Sequence, residues 1–173
     1  MTSSNKNYQP SNEIIQASST NIGRLFQSVV GQSRDAVAIT EYDRIITYGE
    51  LSDRVNKLAN GLLDKGLKHG DRIALITRNC AAFLEIELAC AKAGIILVSL
   101  NWRLTKEEVK HCLDLTQPKL IFAAIEFQEL LPNSSQVQNI LFHTEYENLL
   151  RKSSNEEITH LVNAEDGLVI IFT

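Results

Sequence analysis

The chain has 173 residues, of which 44% are hydrophobic and 22% are charged, and its formal net charge is −4. A chain of this length fits one domain, or a piece of a larger one, and can bury a sizeable core. The negative charge argues against a nucleic-acid-binding protein, which normally carries a basic excess. The ordinary composition excludes the collagen-like, wholly disordered and disulfide-dense classes.

The beginning of the chain predicts a tail, a helix and a hairpin. Residues 1–20 are predicted to be a mobile polar tail, because twelve of them are Ser, Thr, Asn or Gln and few are apolar. Apolar residues at helical spacing predict a short helix from Asn21 to Val30. Two β-rich runs, 36–40 and 44–48, flank the polar residues 41–43 and predict a β-hairpin.

The next segment carries the signature of a helix at both of its ends. Thr47 and Glu50 have capping-box spacing, which lets a hydroxyl and a carboxylate each accept a free backbone N–H. An apolar stripe follows at helical spacing. Gly66 is placed to adopt the left-handed conformation that ends many helices.

From residue 70 onward, apolar strands alternate with helices. Strands are predicted at 72–76, 94–99, 119–122, 139–142 and 168–172, and helices at 81–93, from Thr105 to Leu113, at 126–131 and at 145–151. The continuous apolar strands are typical of a parallel sheet that is buried on both faces. The sequence therefore predicts an α/β layered fold, with a largely parallel sheet flanked by helices and an N-terminal β-hairpin.

The cysteines and histidines bear on the compartment and on metal binding. Cys80, Cys90 and Cys112 are odd in number and widely spaced, which favours reduced thiols and a cytoplasmic location. Cys90 and Cys112 lie among apolar residues, so buried packing is expected. We expect no metal site, since no histidine has ligand spacing to a cysteine or another histidine. No apolar run approaches the roughly 20 residues of a transmembrane helix.

Two positions at the predicted carboxyl ends of strands are candidate ligand contacts. Trp102 and Arg103 follow the strand 94–99, at the sheet edge where ligands bind in open α/β folds. Arg103 can bind a phosphate through its planar donor fork, or it can pair with a nearby carboxylate while Trp102 packs. Thr173 follows the strand 168–172, where a phosphate-binding loop would begin. Within the chain there is no dinucleotide-binding or P-loop motif, which disfavours a self-contained nucleotide-binding domain.

Several blocks of sequence are similar to one enzyme family. Residues 46–51, 70–75, 91–104 and 165–173 resemble, in order and approximate spacing, the opening third of the large domain of AMP-forming acyl-CoA synthetases. The resemblance extends over residues 21–173. One departure is Ser99, where members of that adenylate-forming family usually carry proline.

The resemblance implies a function for the complete protein. Members use ATP and Mg²⁺ to activate a carboxylic or fatty acid as an acyl-adenylate, release pyrophosphate, and transfer the acyl group to coenzyme A. Arg103 matches an arginine that lies near the coenzyme A phosphates in some related ligases. Thr173 matches the threonine just before the family's phosphate loop. The family's catalytic and metal-binding residues lie downstream, so none is assigned here.

These expectations define two hypotheses for the chain. In the first, residues 21–173 are the N-terminal portion of the large domain, truncated before the phosphate loop, and this fragment of a fatty-acid-metabolising ligase is inactive alone. In the second, the chain is a non-catalytic binding or interaction module derived from that family. In either case, the strand 168–172 is expected to be an interior strand whose missing neighbour leaves a sheet edge open to self-association.

Overall fold

Five parallel strands form the centre of the fold in a computed structural model, which describes residue 11 and residues 19–132, 137–158 and 162–172. The sheet has the strand order β6-β5-β3-β4-β7, and a separate two-stranded sheet contains β1 and β2. The strands are β1 (Val37–Glu41), β2 (Arg44–Thr47), β3 (Arg72–Ile76), β4 (Ile96–Leu100), β5 (Leu120–Ala123), β6 (Gln138–Leu141) and β7 (Val169–Ile171). The predicted α/β fold with its hairpin is confirmed.

Helices occupy most of the segments between the strands. They are α1 (Ile22–Ser33), α2 (Tyr48–Asp64), α3 (Ala81–Ala93), α4 (Lys106–Thr116) and α5 (Thr144–Lys152), and a short 3₁₀ helix covers Ile125–Leu130. The first helix begins one residue after its predicted start and ends three residues beyond its predicted end, whereas β3 and α3 have the predicted bounds. The predicted tail lies outside the described residues, apart from residues 11, 19 and 20.

The predicted helix ends have the expected hydrogen bonds. At the start of α2, the Glu50 N–H donates to the Thr47 hydroxyl (3.2 Å) and the Thr47 N–H donates to the Glu50 carboxylate (2.8 Å). The same capping box opens α4. Gly66 follows α2 with φ +85° and Gly94 follows α3 with φ +67°, values that a residue with a Cβ adopts only with strain.

Two apolar clusters cover the two faces of the sheet. On one face α1, α2, α3 and α5 pack against alternate residues of the strands, including Ile73, Leu97 and Phe122. On the other face α4 and the 3₁₀ helix pack against the intervening residues, including Val98 and Ile121. Because successive side chains of a strand point to opposite faces, burial on both faces explains the unbroken apolar runs in the sequence.

Strand β7 lies at one edge of the sheet among the described residues and is shorter than the predicted strand 168–172. It pairs with β4 through residues 169–171, and no described residue pairs with its other side. Ile171 is 71% exposed. The open edge that the sequence predicts is therefore found, at the end of a five-stranded sheet.

Candidate functional site

The connections after β3 and β4 leave the sheet in opposite directions. Helix α3 follows β3 and packs on one face, whereas α4 follows β4 and packs on the other. In open parallel sheets, a crevice forms where neighbouring strands diverge in this way, and ligands bind there at the carboxyl ends of the strands. The two loops at this point are residues 77–80 and 101–105.

The loop after β4 is shaped by its own hydrogen bonds. The Asn101 side-chain oxygen accepts the Arg103 N–H (3.0 Å), and the Asn101 carbonyl accepts the Leu104 N–H (3.1 Å). Thr105 then caps α4. The candidate Arg103 is therefore held on a compact turn at the carboxyl edge, as its position in the sequence predicts, and it is exposed to solvent.

The Trp102 side chain contacts Phe127 and two arginines. Its ring packs against Phe127 with a centroid separation of 6.5 Å. The guanidinium carbon of Arg103 lies 4.7 Å from the Trp102 ring centroid, and that of Arg78 lies 4.3 Å from it. Both distances are within the range of a favourable cation–π contact. The packing of Trp102 was one of the two expected structural roles, but among the described residues Arg103 forms no ion pair with a carboxylate.

The position of Arg103 at this edge of the sheet was predicted from the sequence, whereas that of Arg78 was not. Arg78 lies two residues beyond the end of β3, so its position after a buried strand was the available signal. Thr173, the other candidate contact, lies outside the described residues, and the last strand ends at Ile171. Whether Arg103 and Thr173 contact a ligand stays a prediction.

A cleft of about 400 Å³ is lined by Arg78 in the loop after β3. Its wall includes the hairpin tip, the residues that follow β3, and the N-terminal half of α5. On the wall, the Glu41 carboxylate accepts the Ala81 N–H at the start of α3 (2.7 Å). This contact fixes the hairpin against the helix that follows the Arg78 loop.

A partly buried ionic cluster lines the cleft. Arg54 of α2 donates two hydrogen bonds to Glu85 of α3 (2.7 and 3.0 Å) and two to Glu147 of α5 (2.6 and 3.2 Å). Tyr146 donates its hydroxyl proton to the same Glu85 carboxylate (2.6 Å). The Glu85 side chain is only 1% exposed, so these contacts satisfy a carboxylate that has almost no access to water. The cluster ties three helices together.

Burial and ion pairing shift the pKa values of the groups in this cluster. Burial alone would lower the pKa of Arg54, but its hydrogen bonds to Glu147 and Glu85 outweigh burial and raise that pKa above its ordinary value. Burial and the neighbouring Glu85 raise the pKa of Tyr146. The hydrogen bonds from Arg54 lower the pKa of Glu147. At neutral pH the cluster therefore holds a permanent cation and a phenol that stays protonated, which suits a structural role.

The three cysteines are free thiols. Cys90 and Cys112 are buried, as predicted, and burial raises the pKa of both. Such thiols are poor nucleophiles because little thiolate forms. In the described ranges, no group of three His, Cys, Asp or Glu side chains is arranged to hold a metal ion. Those ranges also contain no helix with the length and apolar character needed to span a bilayer.

Comparison with known proteins identifies relatives of the chain. The family model described as "AMP-binding enzyme" matches residues 26–173. A protein of Bacillus subtilis (strain 168), provisionally described as an acyl-CoA ligase, is 29% identical over 152 residues, which is 82% of this chain and 30% of that protein. The fatty acid–[acyl-carrier-protein] ligase ScoC of Streptomyces coeruleorubidus is 40% identical over 84 residues, which is 49% of this chain and 16% of that protein.

The fold has matching solved structures. A fatty acyl-CoA synthetase of Mycobacterium tuberculosis superimposes with a TM-score of 0.82 at 24% identity, over 88% of this chain and 32% of that chain. The chain spans between 16% and 30% of the length of the curated relatives it matches. With a family match over residues 26–173 and this sheet topology, the chain belongs to the AMP-binding enzyme family and has the fold of the N-terminal part of that family's large domain.

Proposed function

We propose that the chain is the N-terminal part of an ATP-dependent, AMP-forming acyl-CoA synthetase. The complete protein would convert a carboxylic or fatty acid, ATP and coenzyme A into acyl-CoA, AMP and pyrophosphate, with Mg²⁺ bound to the nucleotide. The observation that carries the proposal is the family match over residues 26–173. The names of the relatives, which are acyl-CoA and fatty-acid ligases, support this choice of reaction.

Within this reaction, Arg103 is assigned to the coenzyme A phosphates. Its exposure, its place at the carboxyl end of β4 and its freedom from any carboxylate partner among the described residues support this role. A guanidinium that is already paired with a carboxylate would bind a phosphate much more weakly. Thr173 is assigned to the start of the phosphate loop on its sequence position alone.

The chain by itself is expected to be inactive. The test incubates the purified chain with ATP, Mg²⁺, a fatty acid and coenzyme A, and measures acyl-CoA by chromatography. We expect none, because the family's phosphate loop and catalytic residues are outside this sequence. Formation of acyl-CoA would contradict this part of the proposal. In the gene, a Ser/Thr/Gly-rich segment directly after codon 173 would support the assignment to the family's phosphate loop, and its absence would contradict it.

The role of Arg103 can be tested in the protein that contains this chain together with the downstream segment. Arg103→Gln should raise the KM for coenzyme A about 10- to 100-fold, since a charge-assisted hydrogen bond contributes about 1.5–3 kcal/mol. The acid-dependent exchange of pyrophosphate into ATP, which needs no coenzyme A, should be unchanged. Arg34→Gln is the matched control, because Arg34 is exposed and pairs with Asp53. An equal effect of both substitutions would contradict the assignment.

The second hypothesis, a non-catalytic binding module, is favoured by one observation. The described residues already form apolar clusters on both faces of the sheet, as a separately folding unit would. The open edge of β7, with its exposed Ile171, would then support self-association. Light scattering on the purified chain tests this: a dimer or larger species is expected, and a stable monomer would contradict it. The cytoplasmic location stays a prediction from the free cysteines.

A further inference from the structure

Two guanidinium groups share one indole ring at the crevice. Arg78 comes from the loop after β3 and Arg103 from the loop after β4, and the two loops meet on Trp102. The distance between the guanidinium carbons cannot exceed the sum of their separations from the ring centroid, 4.3 and 4.7 Å. A phosphate group that reaches both guanidiniums can accept hydrogen bonds from each of them.

The charges of this pair are not compensated by carboxylates. None of the ion pairs among the described residues includes Arg78 or Arg103. By contrast, Arg54, which lines the same cleft as Arg78, is bound by two carboxylates. Two positive charges beside one ring and without a carboxylate partner repel each other. A doubly charged anion would relieve that repulsion, which a neutral ligand would not.

We propose that Arg78 joins Arg103 in a site for a terminal phosphate group, with Trp102 as the platform that orients both. The inference rests on the proposed function for the contact of Arg103 and goes beyond it in adding Arg78 and Trp102. The packing of Trp102 on Phe127 keeps the ring in place, and the turn at Asn101 fixes the backbone of Arg103. The planar forks of the two arginines are suited to bidentate contacts with phosphate oxygens.

The charge of the site selects among phosphate compounds. A phosphomonoester carries about −1.5 to −2 charges at pH 7 and offers three acceptor oxygens, which matches two guanidiniums. A carboxylate or an internal phosphodiester carries a single charge and balances only one of them. Coenzyme A has one phosphomonoester, and ATP has a terminal phosphate of similar charge. The shared chemistry is a terminal phosphate, and the two sources are separated by experiment.

Trp102 is the only tryptophan of the chain, so intrinsic fluorescence reports on this site. The purified chain is titrated with coenzyme A, dephospho-coenzyme A, ATP and inorganic phosphate at low salt, and each binding constant is checked by calorimetry. We expect coenzyme A to change the emission of Trp102 and to bind at least tenfold more tightly than dephospho-coenzyme A. Raising the salt concentration should weaken binding, because exposed charges are screened.

Three variants test the part played by each arginine. Arg78→Gln and Arg103→Gln should each weaken binding about tenfold or more by calorimetry. Arg78→Lys, which keeps the charge but loses the fork, should recover part of that loss. Arg34→Gln, at an exposed arginine that pairs with Asp53, should bind as the unchanged chain does. Urea midpoints measured for every variant establish that each is folded.

The outcomes separate this inference from the proposed function. If Arg103→Gln weakens binding and Arg78→Gln does not, the inference is overturned and the assignment of Arg103 stands. If no phosphate compound changes the Trp102 emission up to millimolar concentration, the two-arginine site is overturned. If ATP binds as tightly as coenzyme A and dephospho-coenzyme A binds weakly, the site recognises terminal phosphates from either source. If only coenzyme A binds, its phosphomonoester is the ligand.

Discussion

The ionic cluster at Arg54 is a sensitive point for mutation in this fold. Arg54→Met removes the guanidinium but keeps most of the side-chain volume. The Glu85 carboxylate then loses both of its hydrogen bonds from Arg54 and keeps the one from Tyr146. Because Glu85 is almost fully buried, water cannot replace the lost partner without opening the packing between α2 and α3.

The expected cost follows from the exposure of the two partners. Removing one member of a buried ion pair costs about 3–5 kcal/mol, since the other charge is left without a partner. Arg54 is 20% exposed at the cleft, so some water reaches its end of the pair, and we expect the lower value, about 3 kcal/mol. For a chain of this size, with a urea dependence near 2 kcal/mol per M, the unfolding midpoint should fall by about 1.5 M.

The assay is urea unfolding followed by far-UV circular dichroism and by Trp102 fluorescence. Arg34→Met is the matched control, because Arg34 and Asp53 form an ion pair whose side chains are 58% and 44% exposed. An exposed pair of this kind contributes at most about 1 kcal/mol. If Arg54→Met and Arg34→Met shift the midpoint equally, the burial of Glu85 does not control stability and the reasoning is refuted.

Three further predictions follow from other parts of the chain. Backbone and hydroxyl hydrogen bonds from Thr47 lower the pKa of Glu50 below its usual 4.5, so this carboxylate contributes stability that is present above pH 4.5 and lost as the pH falls through its lower folded value. Glu50→Gln should therefore flatten the acid side of the stability curve measured by urea unfolding, and a steeper curve would contradict this. Gly94→Ala adds a Cβ at φ +67° and 2.2 Å from His69 Cδ2, which should lower stability in a thermal melt by at least about 1 kcal/mol; Gly66→Ala, which meets no atom within 4 Å, should cost less, and the reverse order would be evidence against the close contact. The native chain should show one thiol that reacts rapidly with a disulfide reagent, since only Cys80 is partly exposed, and Cys80→Ala should abolish that phase; a second fast thiol would contradict the buried positions of the other two.

Local chemistry explains why much of the fold could be predicted from the sequence. The hydroxyl of Thr47 and the carboxylate of Glu50 act over three residues, so their capping box is visible in the sequence and is present in the structure. The strands are also visible in the local sequence, since burial on both faces of a sheet gives an unbroken run of apolar residues. The strands and helices were therefore predicted in the right order, with bounds that differ by a few residues.

Contacts between distant residues could not be predicted in the same way. Arg54 lies off the apolar stripe of α2, and Glu147 is 93 residues further along the chain, so no spacing indicates that they meet. The position of Arg78 after a strand was visible, but its contact with Trp102 depends on β3 and β4 being neighbours in the sheet. The pairing of β7 with β4 depends on strand order in the same manner.

The position of β7 in the sheet has a consequence for synthesis on the ribosome. β7 pairs with β4, and about 70 residues separate the two strands in the chain. At a synthesis rate of about 5–20 residues per second, β7 is made roughly 4–14 seconds after β4. Until then the outer edge of β4 has no partner strand. During that interval the nascent chain presents an apolar strand with one unpaired edge, which is a site at which other chains can add a strand. The order of the strands therefore makes the outer edge of β4 a point at which the newly made chain needs protection from aggregation.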